Sequence, residues 1–382
     1  MKKLLRFLSY VLVAALASAA TFGVMVMNEE PPSKLEELQS LIEAQFIGEA
    51  DPVAMQDAAA YAMVDSLGDR WSHYIPAADY QDYKDQMNNS YVGIGVTIQV
   101  AEDGFLIVQV EKTGPAAEAG IQAGDVIVAI SGQSAAGMTT TDAGTLVKGE
   151  EGTTVDLTIR RGETEIPFTV ERRTVLVVVA EGEMLENGIG LVTITNFDAR
   201  CYDETIAAIE DLLDQGAEKL IFDVRNNPGG YKKQLVDILN YLLPEGPLFR
   251  SENYAGNVEV DESDAACLEI PMAVLVNSES YSAAEFFAAA LEEYDAAVTV
   301  GEQTTGKGYY QFTTELSDGS AVGLSVGKYT TPNGVSLAEV GGLTPEIEVE
   351  VDEETFMAIY AGTLEPQDDP QIQAAIEALE AE

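Results

Sequence analysis

Four short runs in the second half of the chain limit its fold most: IGLVTI (189–194), KLIFDV (219–224), MAVLVN (272–277) and AVTV (297–300) are apolar almost throughout. Strands of that kind, separated by helical stretches at 203–215 and 231–243, read as a mainly parallel sheet buried on both faces. The preceding segment has a different texture, with short β-type runs broken by glycine: VGIGVTIQV, GFLIVQV, DVIVAI, TTVDLTI and EIPFTV. Earlier still, Leu35, Leu38, Leu41 and Ile42 recur at helical spacing, and 58–67 repeats the pattern. The expected architecture is an α/β multi-domain chain. It has an export segment over 1–30, a helical region over 31–90, an inserted β-rich domain with short helices over 91–173, and an α/β core with a mixed, mainly parallel sheet over 174–352. An acidic tail over 353–382 follows, its last part (366–382) expected as a surface helix or disordered.

Lys2, Lys3 and Arg6 precede an uncharged run from Phe7 to Met27. A cationic start followed by an apolar stretch is an export signal. Ala17-Ser18-Ala19 fits a signal-peptidase site, yet the run continues past it, and about 20 apolar residues suffice to span a bilayer. A cleaved signal and an uncleaved single-pass anchor both fit. Either puts the remainder outside the cytoplasm.

The balance of 20 basic against 65 acidic residues gives a net charge of −45. Nucleic acid binding needs a basic footprint and is not expected. Anionic lipid would repel the folded part, so membrane contact is expected only through the N-terminal segment. Two cysteines, Cys201 and Cys267, form no CxxC pair, and the single histidine, His73, excludes an HExxH zinc site. A serine triad or cysteine dyad would have to use that one imidazole.

The string TGPAAEAGIQAGDVIVAISG (113–132) places glycines at 114, 120, 124 and 132, where turns are needed. It resembles the PDZ domains of bacterial exported proteases. Upstream, Tyr91-Val92-Gly93-Ile94-Gly95-Val96 resembles their carboxylate-binding loop. In such a loop glycines let backbone N–H groups converge on an anion, and a neighbouring strand edge accepts an extended peptide. The resemblance implies that Tyr91, Gly93, Ile94, Gly95 and Val96 bind protein substrates by apolar C-terminal tails. A plain β-turn is the alternative.

In VLVNSESYSAAEFFAAAL (274–291), Ser282-Ala283-Ala284-Glu285 reads as a capping box at a strand-to-helix junction. Ser282 is then an N-cap. The same position lies beside orphan N–H groups and the positive helix end, the donors an oxyanion needs. A base could be His73, in GDRWSHYIP, or a lysine whose pKa is lowered by burial. Lys307, between Gly306 and Gly308, is such a lysine or else an exposed loop residue. Residues 301–308 also nearly fit the P-loop GxxxxGK[ST], but Gly308 stands where a hydroxyl should hold magnesium.

NSESYSAAEFFAAALEEYDAAVTVGEQTTGKGYYQ (277–311) is similar to the core of the C-terminal processing peptidases, or tail-specific proteases. That family pairs a serine with a lysine 25 positions later and a glutamine four beyond it, the spacing of Ser282, Lys307 and Gln311. The resemblance implies Ser282 as nucleophile, Lys307 as general base and Gln311 as the residue orienting the lysine. IFDVRNNPGG (221–230) resembles the family's second oxyanion segment, with Gly229 and Gly230 complementing the Ala283 amide. GDRWSHYIP resembles its Asp-x-x-Ser-x-Tyr signature, and LSDGSAVGLSVGKYTTPNG and GGLTPEIEV its C-terminal strands. The likeness covers about residues 33–352. Departures are Tyr281 and Ala284 beside the nucleophile and Arg70-Trp71 in the signature; Ser278 and Ser280 are nearby alternatives to Ser282. The resemblance implies an exported serine endopeptidase working through an acyl-enzyme without metal or cofactor, gated by its PDZ domain and activated by a peptide or adaptor. A catalytically silent tail-binding adaptor, with Tyr281 blocking access, is the rival.

Overall fold

The computed structural model describes residues 32–381, so the export segment expected over 1–30 lies outside the described residues. No helix among the described residues is long and apolar enough to cross a membrane. The chain divides into two units after Gly68. The first contains helices α1 (Lys34–Gln45) and α2 (Pro52–Asp65). Ser33 and Glu36 form a reciprocal capping box on α1, and Asp51 caps α2 by accepting from Val53 and Ala54. Neither helix buries a residue.

The second unit opens with strand β1 (His73–Ile75) and helix α3 (Tyr80–Met87). The block read as helical over 31–90 therefore contains a strand. Three residues carry too little pattern to announce it, and it exists because Tyr74 and Ile75 pair with Val322 and Ala321, some 250 residues on.

Strands β2 (Ser90–Gly93) and β9 (Arg173–Leu176) pair antiparallel and form a neck by which the chain enters and leaves a β-rich domain. Between them lie β3 (Val96–Ala101), β4 (Gly104–Val110), α4 (Pro115–Ala119), β5 (Val126–Ile130), β6 (Gln133–Ser134), α5 (Thr140–Val147), β7 (Thr154–Arg161) and β8 (Thr164–Glu171). The sheet order is β3-β4-β5-β7-β8 with β6 on β5, which leaves β3 at an edge beside α5. Phe105, Ile107, Ile127, Ile130, Leu157 and Ile159 form the core. Asp125 is buried because its two oxygens take a fork of bonds from Arg161 at 2.7 Å.

The remaining core is built on a six-stranded sheet: β10 (Ala180–Met184), β11 (Ile189–Ile194), β12 (Lys219–Asp223), β15 (Met272–Val276), β16 (Ala297–Gly301) and β19 (Ile347–Glu348). All neighbours are parallel except β10, so the sheet is mixed and mainly parallel. Helices α6 (Cys201–Asp214), α7 (Lys232–Leu242) and α8 (Ala283–Glu293) pack on one face. The period-2 rule is visible in β15, where Met272, Val274 and Val276 face these helices while Ala273 and Leu275 face the other side. A second, antiparallel sheet runs β1-β18-β13-β14, with β17 on β18; its strands are β13 (Gly246–Asn253), β14 (Val258–Ser263), β17 (Tyr309–Glu315) and β18 (Ala321–Thr330).

The last part of the acidic tail forms the helix that was one of its two expected states, and its apolar face is buried rather than lying free on the surface. After α9 (Leu337–Val340) and α10 (Glu353–Tyr360), helix α11 (Pro370–Ala381) covers the second face of the parallel sheet with Ile372, Ala375 and Leu379. Arg225, itself buried, ties it down through Asp369 at 2.8 Å and Gln371 at 2.9 Å while binding Asp223 from the sheet. The acidic residues of α11 point outward, and its apolar ones, at i, i+3 and i+7, point in.

Candidate active site

Ligands of parallel sheets collect where the C-terminal ends of the strands release their loops. Three successive loops meet there. The loop after β12 carries Arg225 to Gly230, that after β15 carries Asn277 to Ser282, and that after β16 carries Glu302 to Lys307. Side-chain amides stitch the first two together: Asn226 N–H donates to Asn277 Oδ1 at 2.9 Å, and Asn277 Nδ2 donates to Asn226 Oδ1 at 2.8 Å. Thr305 joins the third, its N–H on the Ser280 carbonyl at 3.2 Å and its hydroxyl on the Ser278 carbonyl at 2.7 Å.

Of the three nearby serines, Ser280 is fully buried and donates to the Val224 carbonyl at 2.7 Å, while Ser278 is exposed. Ser282 is half-buried at the head of α8 with φ +58°, a left-handed conformation rare outside glycine and typical of strain held at a functional turn. Its hydroxyl shares a 2.9 Å hydrogen bond with the buried Tyr329 hydroxyl. Gly229 (φ +89°) packs directly under this turn: a Cβ there would lie 2.7 Å from Ser282 Cβ and 2.8 Å from the Ala283 nitrogen. The Gly229 amide is engaged by Asn227 Oδ1 at 2.8 Å, whereas the Ala283 and Gly230 amides have no hydrogen-bond acceptor among the described residues.

Glu285 supplies the reverse half of the capping box and more. Its carboxylate accepts from Ser282 N–H at 2.9 Å, the Thr304 hydroxyl at 2.5 Å, Gly306 N–H at 2.6 Å and Lys307 N–H at 2.9 Å. Four donors fill the lone-pair directions of an ionised carboxylate, although burial pushes its pKa up. One side chain thus joins the serine turn to the lysine loop. The capping-box pattern was readable in the sequence, but the partners beyond it were not.

The Lys307 ammonium sits 4.6 Å from the centre of the Trp71 ring and 5.6 Å from that of Tyr281. Burial is the main influence on it and lowers its pKa to about 8, against the charges of Glu285 and Asp69. Among the described residues no hydrogen bond joins it to Ser282. Gln311 is also apart, with Nε2 donating to the Tyr309 carbonyl at 3.1 Å and Ser325 Oγ at 3.0 Å. His73 lies in β1 with Nδ1 3.0 Å from the Trp71 carbonyl and shares no hydrogen bond with Ser282. Residues 302–308 run straight into β17 with no helix behind them, so the P-loop reading fails for want of a helix N-terminus. Among the described residues no cluster suited to a metal ion occurs.

In the β-rich domain, Tyr91, Gly93, Ile94, Gly95 and Val96 line a cleft of about 510 Å³ between the β3 edge and α5, with Ile98, Ile127, Thr141 and Lys148. The Ile94 and Gly95 amides donate to no acceptor among the described residues. The sequence pointed to the loop; Lys148, on the far wall, went unmarked because only the fold returns it there.

Comparison with known proteins agrees with this construction. A family model for peptidase family S41 matches residues 188–349, and a PDZ domain model matches residues 106–161. The carboxy-terminal processing protease CtpA of Bacillus subtilis (strain 168) is 31% identical over 366 residues, covering 92% of this chain and 78% of that protein. A probable CtpA-like serine protease of Staphylococcus aureus (strain COL) is 28% identical over 89% of this chain and 69% of its own length. The crystal structure of a putative S41 protease from Bacteroides fragilis shares the fold, with a TM-score of 0.57 at 18% identity over 92% of this chain and 98% of that one. The chain belongs to peptidase family S41 and is a PDZ-containing, serine-type C-terminal processing peptidase.

Proposed function

We propose that the protein is an exported endopeptidase that captures the C-terminal tail of protein substrates in its PDZ cleft and cleaves them with a Ser282–Lys307 dyad. The observation that carries this reading is the convergence of three strand-end loops on Ser282, Lys307 and two unengaged amides. A tail carboxylate would be met by the Ile94 and Gly95 amides, its chain would extend the sheet along β3, and an apolar side chain would fill the cleft.

Reaction requires Ser282 to leave Tyr329 and the neutral Lys307 amine to accept its proton as Oγ attacks the scissile carbonyl. The oxyanion that forms is met by the Ala283 and Gly230 amides. Collapse breaks the C–N bond, and Lys307 returns the proton to the departing amine. Water then attacks the acyl-serine ester by the same route. Gln311 would hold Lys307 once it leaves Ser325, and peptide in the PDZ cleft would favour that rearrangement. The segment over 1–30 would export the chain and, if uncleaved, tether it to the membrane.

The test compares an unfolded protein ending in an apolar tail with the same protein lacking the tail, and with a short untethered peptide. Cleavage should depend on the tail, and Gly93→Val or Gly95→Val should weaken turnover of the tailed substrate more than of the peptide. Equal losses on both would contradict tail capture. Tail binding without any cleavage would leave an adaptor.

A further inference from the structure

Trp71 and Tyr281 stand where the sequence departs from the family pattern, and both meet at Lys307. Their ring centres lie 5.7 Å apart. The lysine ammonium approaches both within the range of cation–π attraction. The turn carrying Trp71 is held by the Trp71 backbone N–H on Asp69 Oδ1 at 3.1 Å, the Ser72 hydroxyl on Asp69 Oδ2 at 2.6 Å, and Ser72 Oγ accepting from the Ser325 backbone N–H in β18 at 3.0 Å. The turn that carries Trp71 is therefore fixed, and its ring packs beside that of Tyr281 where the Lys307 side chain reaches both. We infer that Trp71 and Tyr281 form an aromatic seat that holds the charged Lys307 side chain off Ser282, making them positioning residues for the general base.

Aromatic faces attract a cation through the ring quadrupole and have no such hold on a neutral amine. Charge state and position are then coupled. The ammonium stays on the rings, and loss of its proton frees the amine that Ser282 requires. Other charges bear on the same nitrogen: Glu285 and Asp69 favour the ammonium, and Arg70, whose guanidinium also stacks on Trp71 at 4.1 Å, disfavours it. The seat rests on the dyad reading for its catalytic meaning, but the contact itself can be observed without catalysis.

Trp71 is the only tryptophan in the chain. Its emission in the full-length protein should change in one step with a midpoint near pH 8 as the ammonium is lost, and Lys307→Met should abolish that step. Burial holds the Tyr281 and Tyr329 hydroxyls above their ordinary range, outside this window. A step that survives in Lys307→Met belongs to another group and overturns the seat, as does a wild-type emission that does not titrate.

The kinetic arm follows acylation against pH. Trp71→Leu should move the rising limb down by about 0.4–1.5 pH units, with a smaller move in Trp71→Phe, since each 1.36 kcal/mol of cation–π attraction is one pKa unit. Tyr281→Leu should shift it the same way and keeps the test open if a Trp71 variant does not fold. A lowered plateau with an unmoved limb means a merely structural role and refutes the seat. Acylation that persists in Lys307→Met refutes the dyad instead, and the fluorescence titration then judges the seat alone.

Discussion

Gly229→Ala probes the tightest contact in the candidate site. Two costs separate cleanly. An alanine at φ +89° carries backbone strain of roughly 1–2 kcal/mol wherever it stands. At this position its Cβ also meets Ser282 Cβ at 2.7 Å, the Ala283 nitrogen at 2.8 Å and the Tyr281 carbonyl at 2.9 Å, none of them the free end of a flexible side chain. Ordinary contact begins near 3.4 Å, so the serine turn must retreat by about 0.7 Å. Overpacking of this kind adds about 1–3 kcal/mol, and a displacement near 1 Å at reacting atoms is worth on the order of 10²-fold in rate. Gly216→Ala is the control, with φ +98° and nothing within 4 Å of the new Cβ. Urea melts should show both variants destabilised, Gly229→Ala the more so. Acylation by a serine-reactive phosphonate should fall about 10²-fold in Gly229→Ala only. Acylation within about threefold of the parent in both variants would refute the claim that this glycine sets the nucleophile's position.

Other consequences follow from the same geometry. The Lys307 pKa lies near 8 in the folded protein against 10.5 for the free side chain, so acylation should rise with pH through about 8. By linkage, the unfolded chain alone stays protonated between those values, and stability should increase with pH across that window in the parent but not in Lys307→Met; a flat parent curve would contradict the buried lysine. Arg225→Ala strands two carboxylates and unfastens α11, so chemical denaturation should register a loss of about 3–5 kcal/mol. Tyr329→Phe removes the hydroxyl that holds Ser282, at about 1 kcal/mol, and should leave acylation undiminished; a 10²-fold loss would make that hydroxyl part of the chemistry.

Much of this arrangement is legible in the sequence. Uniformly apolar strands announce a sheet covered on both faces, and the small-residue turn before AEFFAAAL announces a helix head beside a serine. What escaped the sequence depends on chain segments far apart. Strand β1 has only three residues and is defined by its partner β18. Helix α11 carries a readable apolar stripe at Ile372, Ala375 and Leu379, but its acidity drew attention to the opposite face. Tyr329 reaches Ser282 from 47 positions downstream, and Trp71 reaches Lys307 from a turn far upstream. No local pattern encodes either meeting.

The central claim is that Ser282 is a nucleophile made reactive by Lys307. It is tested most directly by treating the full-length protein with a fluorophosphonate and mapping the adduct by mass spectrometry, beside Ser282→Ala and Lys307→Met. The account predicts a single adduct on Ser282 that is absent from both variants. An adduct on Ser278 or Ser280, or undiminished labelling of Ser282 without Lys307, would contradict it.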